Sequence, residues 1–522
     1  MTYSGLHANA KPAFDAGVSM RSLLSSNAQL TSNSRQLAKG DGFVAYAGDS
    51  VDGRTFIKPA FSHGAAAVAF DSDGSDRIAV GNEIAVAGLK MFAGAFASGF
   101  YDNPSAKMSV IAITGTNGKT SCSQWVAQGL ATTEQRAAVV GTLGAGLINE
   151  QGIAELTEFG LTTPDAVMMQ RLLACFQTQS TKYVAIEASS IGVVQSRLAG
   201  THISVAVFTN LSRDHLDFHG SMQAYEMAKA ELFAWPGLRY AIVNLNDDAS
   251  QTMLARMVQS GSAAQAIGYG VEGKGQVINA TTKVSNKLIA SNLVYTDAGV
   301  TFDLASSWGK ATVSLQLHGL FNVSNALAVV AAWLAVDMPF DQAIQKLQSL
   351  HSVPGRLQRV QVDTAIASNT LPLVFVDYAH TPDALEKTLI ALRGITERRQ
   401  GKLWCVFGAG GDRDKGKRPL MAKVAEQYSD AIVATSDNPR TEKPADILAD
   451  IAEGFSAEAL TQVHQIVDRK SAIDFAIKMA SPTDVLLIAG KGHENYQEVS
   501  GVKTPFSDYA ISAVALVART LQ

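Results

Sequence analysis

Apolar and polar positions along the chain fall into a recurring unit. A short apolar run rich in β-branched residues meets a polar or glycine-bearing break, and a helix-compatible stretch follows. Residues 110–113 predict a buried strand, Gly115 and Gly118 break it, and a helix-compatible segment continues to Leu130. Apolar runs of the same kind end at 183–190, 203–210 and 241–246, and beyond about 350 at 373–380, 403–415, 431–440 and 485–494. Strands alternating with helical stretches imply α/β architecture with a mostly parallel sheet. Upstream, 42–48 and 65–70 read as strands with a helix at 53–63 between them. Between 275 and 317 the pattern changes, and 288–295, 300–304 and 311–317 read as short antiparallel strands in a β-rich insertion. An Ala-rich helix then opens near Phe321 and runs to about Val336.

These elements predict three domains, consistent with 522 residues at about 150 per domain. A small α/β domain occupies 1–105, ending near the linker Asn103-Pro104; a central domain occupies 106–348 and a third α/β domain 349–522. The 43 basic and 47 acidic residues leave a net charge of −4, without the basic excess of a nucleic-acid binder. Cys122, Cys175 and Cys405 lie far apart, so neither a disulfide framework nor a zinc knuckle is indicated and a reducing compartment is expected. Residues 1–30 lack a basic segment followed by an apolar run, and the apolar run 326–336 is far short of the roughly 20 residues that span a bilayer. A cytoplasmic protein without a membrane partner is expected.

Candidate chemistry gathers at the strand ends. Gly115-Thr116-Asn117-Gly118-Lys119-Thr120, followed by Ser121, joins a strand to a helix start. Glycine lets the backbone approach an anion, helix N–H groups face it, Lys119 can reach β/γ-phosphates and Thr120 can ligate magnesium. The usual P-loop has a glycine six residues before its lysine; here Ile113 stands there. Glu187 ends the next strand, and His215 follows the one at 203–210. Hard cations prefer oxygen, which favours Thr120 and Glu187 over His215. Asn325, near the start of the Ala-rich helix, reads equally as a helix cap or a nucleobase contact. Lys229 alone reads as a solvated helix lysine, and Ser34-Arg35 as a polar turn able to bind an anion. Four polar strand ends in the third domain share the edge where open sheets bind ligands.

Taken together, Gly115–Thr120, the segment 209–220, Phe321–Asn325, Gly355-Arg356, Asp377–His380 and Gly490–Glu494 resemble the Mur ligases of peptidoglycan synthesis, in order and over nearly the whole chain. The short glycine loop is that family's own form. The resemblance implies an N-terminal domain for a UDP-linked substrate, a central P-loop ATPase and a C-terminal Rossmann-like domain for an incoming amino acid. It implies a monomer that uses ATP and Mg²⁺ to phosphorylate the D-glutamate γ-carboxylate of UDP-MurNAc-L-Ala-D-Glu, which an amine then attacks. By the same resemblance 115–121, Asn325, Arg356 and Asp377 hold ATP, while Thr120, Glu187, His215 and a carbamylated Lys229 serve magnesium. Ser32, Ser34 and Asp49-Ser50-Val51 resemble the uridine site. Thr162, Thr163, Ser189, Gln195 and Arg197 align with muramoyl-dipeptide contacts, although Ile191 stands where many members have histidine.

Asp437-Asn438-Pro439-Arg440 marks the family members that add meso-diaminopimelate. That amino acid has a distal carboxylate, which Arg440 and Arg413 can clamp with charge-assisted bonds, and Glu494, beyond Gly490, can take an ammonium. Lysine would leave the arginine pair unmatched, and unmatched charge rejects close analogues. A lysine-adding ligase, a folylpolyglutamate-synthetase-like ligase and a P-loop switch or motor are the alternatives.

Overall fold

In the first sheet four parallel strands follow chain order: β1 (Leu30–Thr31), β2 (Gly42–Ala45), β3 (Ala67–Asp71) and β4 (Glu83–Val86). The structure is a computed structural model and describes residues 9–48, 51–149, 151–152, 155–273, 278–279, 282–296, 298–362 and 371–520. The strand expected at 42–48 stops at Ala45, because the chain turns on the Gly53 N–H bond to the Tyr46 carbonyl. The helix expected at 53–63 divides into a tight turn, Gly53–Phe56, capped by Asp52, and a helix, Ile57–Ser62.

The second sheet has ten strands. At its centre β5 (Ser109–Thr114) is flanked by the parallel strands β8 (Thr181–Glu187) and β9 (Val205–Phe208). Beyond β8 lie β6 (Arg136–Gly141) and the antiparallel β7 (Gly144–Ile148); beyond β9 lie β10 (Tyr240–Asn244) and β11 (Gln265–Val271). Chain order therefore reverses at β5, and ligands bind outside the carboxyl ends at such a switch point. The strands β12 (Asn286–Thr296), β13 (Gly299–Ser306) and β14 (Lys310–Leu315) continue this sheet: β12 joins β11 in parallel, and the other two extend it antiparallel.

Both faces of β5 are covered, which is why its sequence is apolar without alternation. Ile111 and Ile113 belong to the same core as Val323, Leu327 and Trp333 of the helix Leu320–Ala335, while Val110 and Ala112 share the opposite core with Met169, Leu173 and Phe176. Each Val, Leu, Ile, Met or Phe among them contributes roughly 1.5–3 kcal/mol on burial.

In the third sheet β16 (Leu373–Asp377), β20 (Val485–Ala489), β17 (Leu403–Phe407), β18 (Ala431–Ala434) and β19 (His464–Gln465) lie side by side in parallel, with β15 (Gln358–Arg359) antiparallel at the edge. A hairpin, β21 (Tyr496–Val499) and β22 (Val502–Pro505), follows. All four apolar runs expected beyond residue 350 are strands of this sheet.

Candidate active site

Two glycines make the turn after β5. Gly115 has φ +147° and Gly118 φ +88°. A Cβ on Gly115 would stand 1.8 Å from Thr209 Oγ1, and one on Gly118 2.4 Å from Asn325 Oδ1, so larger residues meet both backbone strain and a neighbour. The turn is held from β9: Asn210 accepts from the Asn117 N–H at 3.0 Å and Thr209 Oγ1 donates to the Asn117 carbonyl at 2.6 Å. Lys119 curls back over the loop, donating to the carbonyls of Gly115 (2.9 Å) and Thr116 (2.8 Å). Burial lowers its pKa, although Glu187 and Asp214 oppose the shift. The helix Lys119–Leu130 directs its positive end at the same place. Thr116 faces the other way, toward Ser212 and Tyr225, and Ser121 is buried.

Asn325 is not a helix cap. It lies in the second turn of Leu320–Ala335, buried, with its carboxamide against Gly118.

Glu187 is buried, and both of its oxygens are engaged. Oε1 accepts from the Thr142 N–H (2.8 Å); Oε2 accepts from Thr120 Oγ1 (3.0 Å) and Thr142 Oγ1 (3.1 Å). Thr120 in turn accepts from Arg356 Nη2 at 2.9 Å. His215, at φ +51°, has its Nε2 3.5 Å from Asp214, and burial lowers its pKa. Asp214 is held below its usual value, against its burial, by His215, His380 and Lys119. The solvated reading of Lys229 is wrong: its side chain is buried, with Nζ 4.0 Å from the Tyr225 ring centroid. Burial, and then Lys119, push the Lys229 amine well below the ordinary lysine range. Among the described residues no three His, Cys, Asp or Glu side chains form a metal cluster. The Thr120–Glu187 oxygen pair nevertheless fits magnesium, which takes few protein ligands and keeps water and phosphate oxygens.

A hydroxyl network extends from Glu187. Thr162 and Thr142 hydroxyls lie 3.2 Å apart; Thr163 Oγ1 donates to the Glu187 carbonyl (2.7 Å) and stands 2.9 Å from Ser189 Oγ. Arg197 donates to the Thr163 carbonyl (2.8 Å) and to Gln195 Oε1 (3.0 Å). The structure thus brings these five candidate residues together beside Glu187. Ser32 donates to Asp165 at 3.2 Å, joining the first sheet to this edge. Ser34 lies half-buried in the short turn Ser34–Gln36 that Asn33 caps, and Val51 is exposed. Asp49 and Ser50 lie outside the described residues.

In the third domain Asp437, Asn438, Pro439 and Arg440 follow β18, and Gly490 and Glu494 follow its sheet neighbour but one, β20. Asn438 Nδ2 donates to Glu494 Oε2 at 2.7 Å, joining the two loops. Arg440 sits at φ +51°; its Nη1 donates to the Gly411 carbonyl at 2.7 Å and its Nε is 3.9 Å from Glu498. Arg440 and the exposed Arg413 flank Gly410, where a Cβ would stand 2.9 Å from one and 3.7 Å from the other. Asp377 gives its oxygens to the N–H groups of Leu357 (2.6 Å) and Ala379 (2.8 Å), so it holds the loop that carries Arg356. Burial raises its pKa despite Arg356.

The two sheets meet over the glycine loop. Asp383 Oδ2 accepts from Asn117 Nδ2 (3.1 Å) and Ser212 Oγ (2.8 Å). Lys417, whose pKa burial lowers, is opposed in that shift by Asp214 from the central domain and Asp437 from the third. One lysine therefore lies within electrostatic reach of both strand-end clusters. Arg356 also stacks on Tyr378 (4.5 Å), whose ring lies beside His380 and His493.

Sequence reading missed Thr142, Asp214, Asp383, Lys417, Lys491 and Arg469. Thr142 and Lys417 had a signal, since each follows a strand end. Arg469 had none: it belongs to a helix, yet it is buried, paired with Asp508, and donates to the carbonyls of Ser436 and Ala489 just before the two loops.

The chain matches three family descriptions in order: "Mur ligase family, catalytic domain" over 28–101, "Mur ligase middle domain" over 113–333 and "Mur ligase, glutamate ligase domain" over 355–492. It is 46% identical over 503 residues to the UDP-N-acetylmuramoyl-L-alanyl-D-glutamate–2,6-diaminopimelate ligase of Janthinobacterium sp. (strain Marseille), covering 95% of each chain. A solved structure of a ligase of that name is 35% identical, with a TM-score of 0.64 over 94% of this chain and 95% of that one. The MurF ligase of Thermotoga maritima in complex with ADP shares the fold at 15% identity, with a TM-score of 0.60 over 94% of this chain and 96% of the other.

Proposed function

This chain belongs to the Mur ligase family and is an ATP-dependent ligase, and from that premise we propose that it adds meso-diaminopimelate to UDP-MurNAc-L-Ala-D-Glu. The observation that supports the reading is the set of contacts between the two sheets at the phosphate loop: Arg356 Nη2 donates to Thr120 Oγ1, and Asp383 accepts from Asn117 and Ser212.

A free carboxylate is a poor acyl donor, so it must first be activated. A γ-carboxylate oxygen of the D-glutamate attacks the γ-phosphorus of ATP, and the bond to ADP breaks. The amine nitrogen of diaminopimelate then attacks the carbonyl carbon of the acyl phosphate and loses a proton. The tetrahedral adduct expels inorganic phosphate with the C–O bonding pair and leaves an amide. Lys119, the loop N–H groups and the start of Lys119–Leu130 hold the charge on the transferring phosphoryl group. Asn325 faces the adenine, Arg356 the nucleotide, and Asp377 acts through the loop it holds. Thr120 and Glu187 would hold Mg²⁺, with His215 and a carbamylated Lys229 as its further ligands. When bound, the ion neutralises phosphate oxygens. The buried Lys229 amine, favoured in its neutral form, suits carbamylation to an oxygen donor. Thr162, Thr163, Ser189, Gln195 and Arg197 receive the muramoyl dipeptide, and Ser32, Ser34 and Val51 face the uridine end.

Arg440 and Arg413 clamp the distal carboxylate, and Glu494 takes an ammonium. We place the reaction in the cytoplasm, where ATP and nucleotide-linked precursors meet; among the described residues no helix is long and apolar enough to cross a membrane. Product mass spectrometry tests the reading with UDP-MurNAc-L-Ala-D-Glu, ATP, Mg²⁺ and either meso-diaminopimelate or lysine. The expected products are the diaminopimelate tripeptide, ADP and phosphate. A lysine product, or turnover only with a folate and glutamate, would reverse the assignment.

A further inference from the structure

The amino-acid end of the cleft contains a cation that the reaction has not yet used. Lys491 lies between Gly490 and Glu494 on the loop after β20, and its side chain is wholly buried. Its ammonium donates to Asn438 Oδ1 at 3.0 Å and to Glu494 Oε2 at 2.9 Å, with Asp437 Oδ1 at 3.8 Å. Both acceptors, and the Asp437 carboxylate as a charged neighbour, belong to the two loops that form the amino-acid site. Glu494 Oε2 also accepts from Asn438 Nδ2, so that oxygen is committed inside the protein and the carboxylate plane is fixed. Among the described residues Oε1 has no protein partner, and the Glu494 side chain remains partly exposed, at 17%.

We propose that Lys491 is a positioning residue that presents Glu494 to the ammonium of the incoming diamino acid and sets the charge of that end of the pocket. The inference rests on the reading of 437–440 and Glu494 as the amino-acid site. Among the described residues Lys491 is the cation hydrogen-bonded to Glu494, whereas the buried Arg469 beside the loops is paired with Asp508. The Oε1 of Glu494 is left to accept from a ligand ammonium, while Arg440 and Arg413 flank Gly410 at the end that takes the carboxylate. Without Lys491 the Glu494 carboxylate would lose its neighbouring positive charge and one of the two donors that aim it. A lysine that merely held the loops together would act on stability and on every substrate alike.

The test compares the full-length chain with Lys491→Gln, which keeps a donor without the charge, and with Lys491→Arg, which keeps the charge in another shape. KM is measured for meso-diaminopimelate, ATP and UDP-MurNAc-L-Ala-D-Glu, alongside thermal melting. The glutamine variant is expected to raise the KM for diaminopimelate on the order of tenfold or more, with the other two changed by less than about twofold, and arginine to lie between. Equal shifts in all three constants, or none, would overturn the proposal. If Lys491→Gln does not fold, Lys491→Arg decides by the same selectivity. A wild-type chain inactive with diaminopimelate would instead overturn the underlying reading of the function.

Discussion

Arg440 is a non-glycine residue in left-handed backbone, φ +51°, in the loop that follows the buried strand β18. Such a conformation costs on the order of 1–3 kcal/mol and persists where surroundings enforce it. Here the Arg440 N–H donates to the Glu498 carbonyl, its carbonyl accepts from Ser500, and its guanidinium is drawn over Gly411. Arg440→Ala is expected to raise the KM for meso-diaminopimelate by about ten- to a hundredfold, as for loss of a charge-assisted pair, with the KM for ATP nearly unchanged. Steady-state kinetics with each substrate varied in turn would check this. Two histidines near Arg356 set a second expectation. Burial, then Lys417, lowers His380 to about 4; burial, then Arg356, lowers His493 to about 3. Their neutral forms belong to the folded state, so the unfolded chain binds more protons once pH falls below about 6.5. Stability should therefore decline from about pH 6.5 toward pH 4, and His493→Phe should flatten that decline in denaturant titrations. The motif residues themselves were legible from sequence. The burial of Lys229, the carboxamide of Asn325 against Gly118 and the engagement of Asp377 with backbone amides were not, since each depends on what another element places beside them.

At the scale of elements, function collects where parallel strands end. β5, β8 and β9 deliver Lys119, Glu187 and His215, and β18 and β20 deliver Arg440 and Glu494. The apolar runs were readable because both sheet faces are covered, so the strands lack polar alternation. Their edges were less readable. The strand expected at 42–48 and the helix expected at 53–63 are shorter in the structure, because turn hydrogen bonds and a 3₁₀ turn compete with propensity over a few residues. The place of β12–β14 at the edge of the central sheet was likewise set by pairing with β11. The loop before β15 offers an element-scale test. Gly355 has φ +67°, and a Cβ there would lie 2.1 Å from the His493 backbone nitrogen. Gly355→Ala should therefore destabilise the protein by about 1–3 kcal/mol in denaturant unfolding, because the clash is with backbone and cannot be relieved by a rotamer.

For the whole molecule, the junction between the second and third sheets decides whether there is one site or two. Arg356 reaches Thr120, and Asp383 ties its helix to Asn117 of the glycine loop and to Ser212. Asp383→Ala removes two of these links without touching either core. It is expected to raise the KM for ATP about three- to tenfold while shifting the melting temperature by only a few degrees, as loss of one or two hydrogen bonds implies. Kinetics paired with thermal denaturation would separate the two effects. The order of strands, helices and motifs, and with it the family and the kind of reaction, follows from sequence, because hydrophobic period, glycine turns and strand-end chemistry are local properties of the chain. Which charges lie buried, which carboxylates are already satisfied and which residues bridge the domains depends on contacts between segments tens to hundreds of residues apart. Arg469 clamping two loops leaves no local trace, because desolvation and electrostatic pairing exist only once the chain has closed around it.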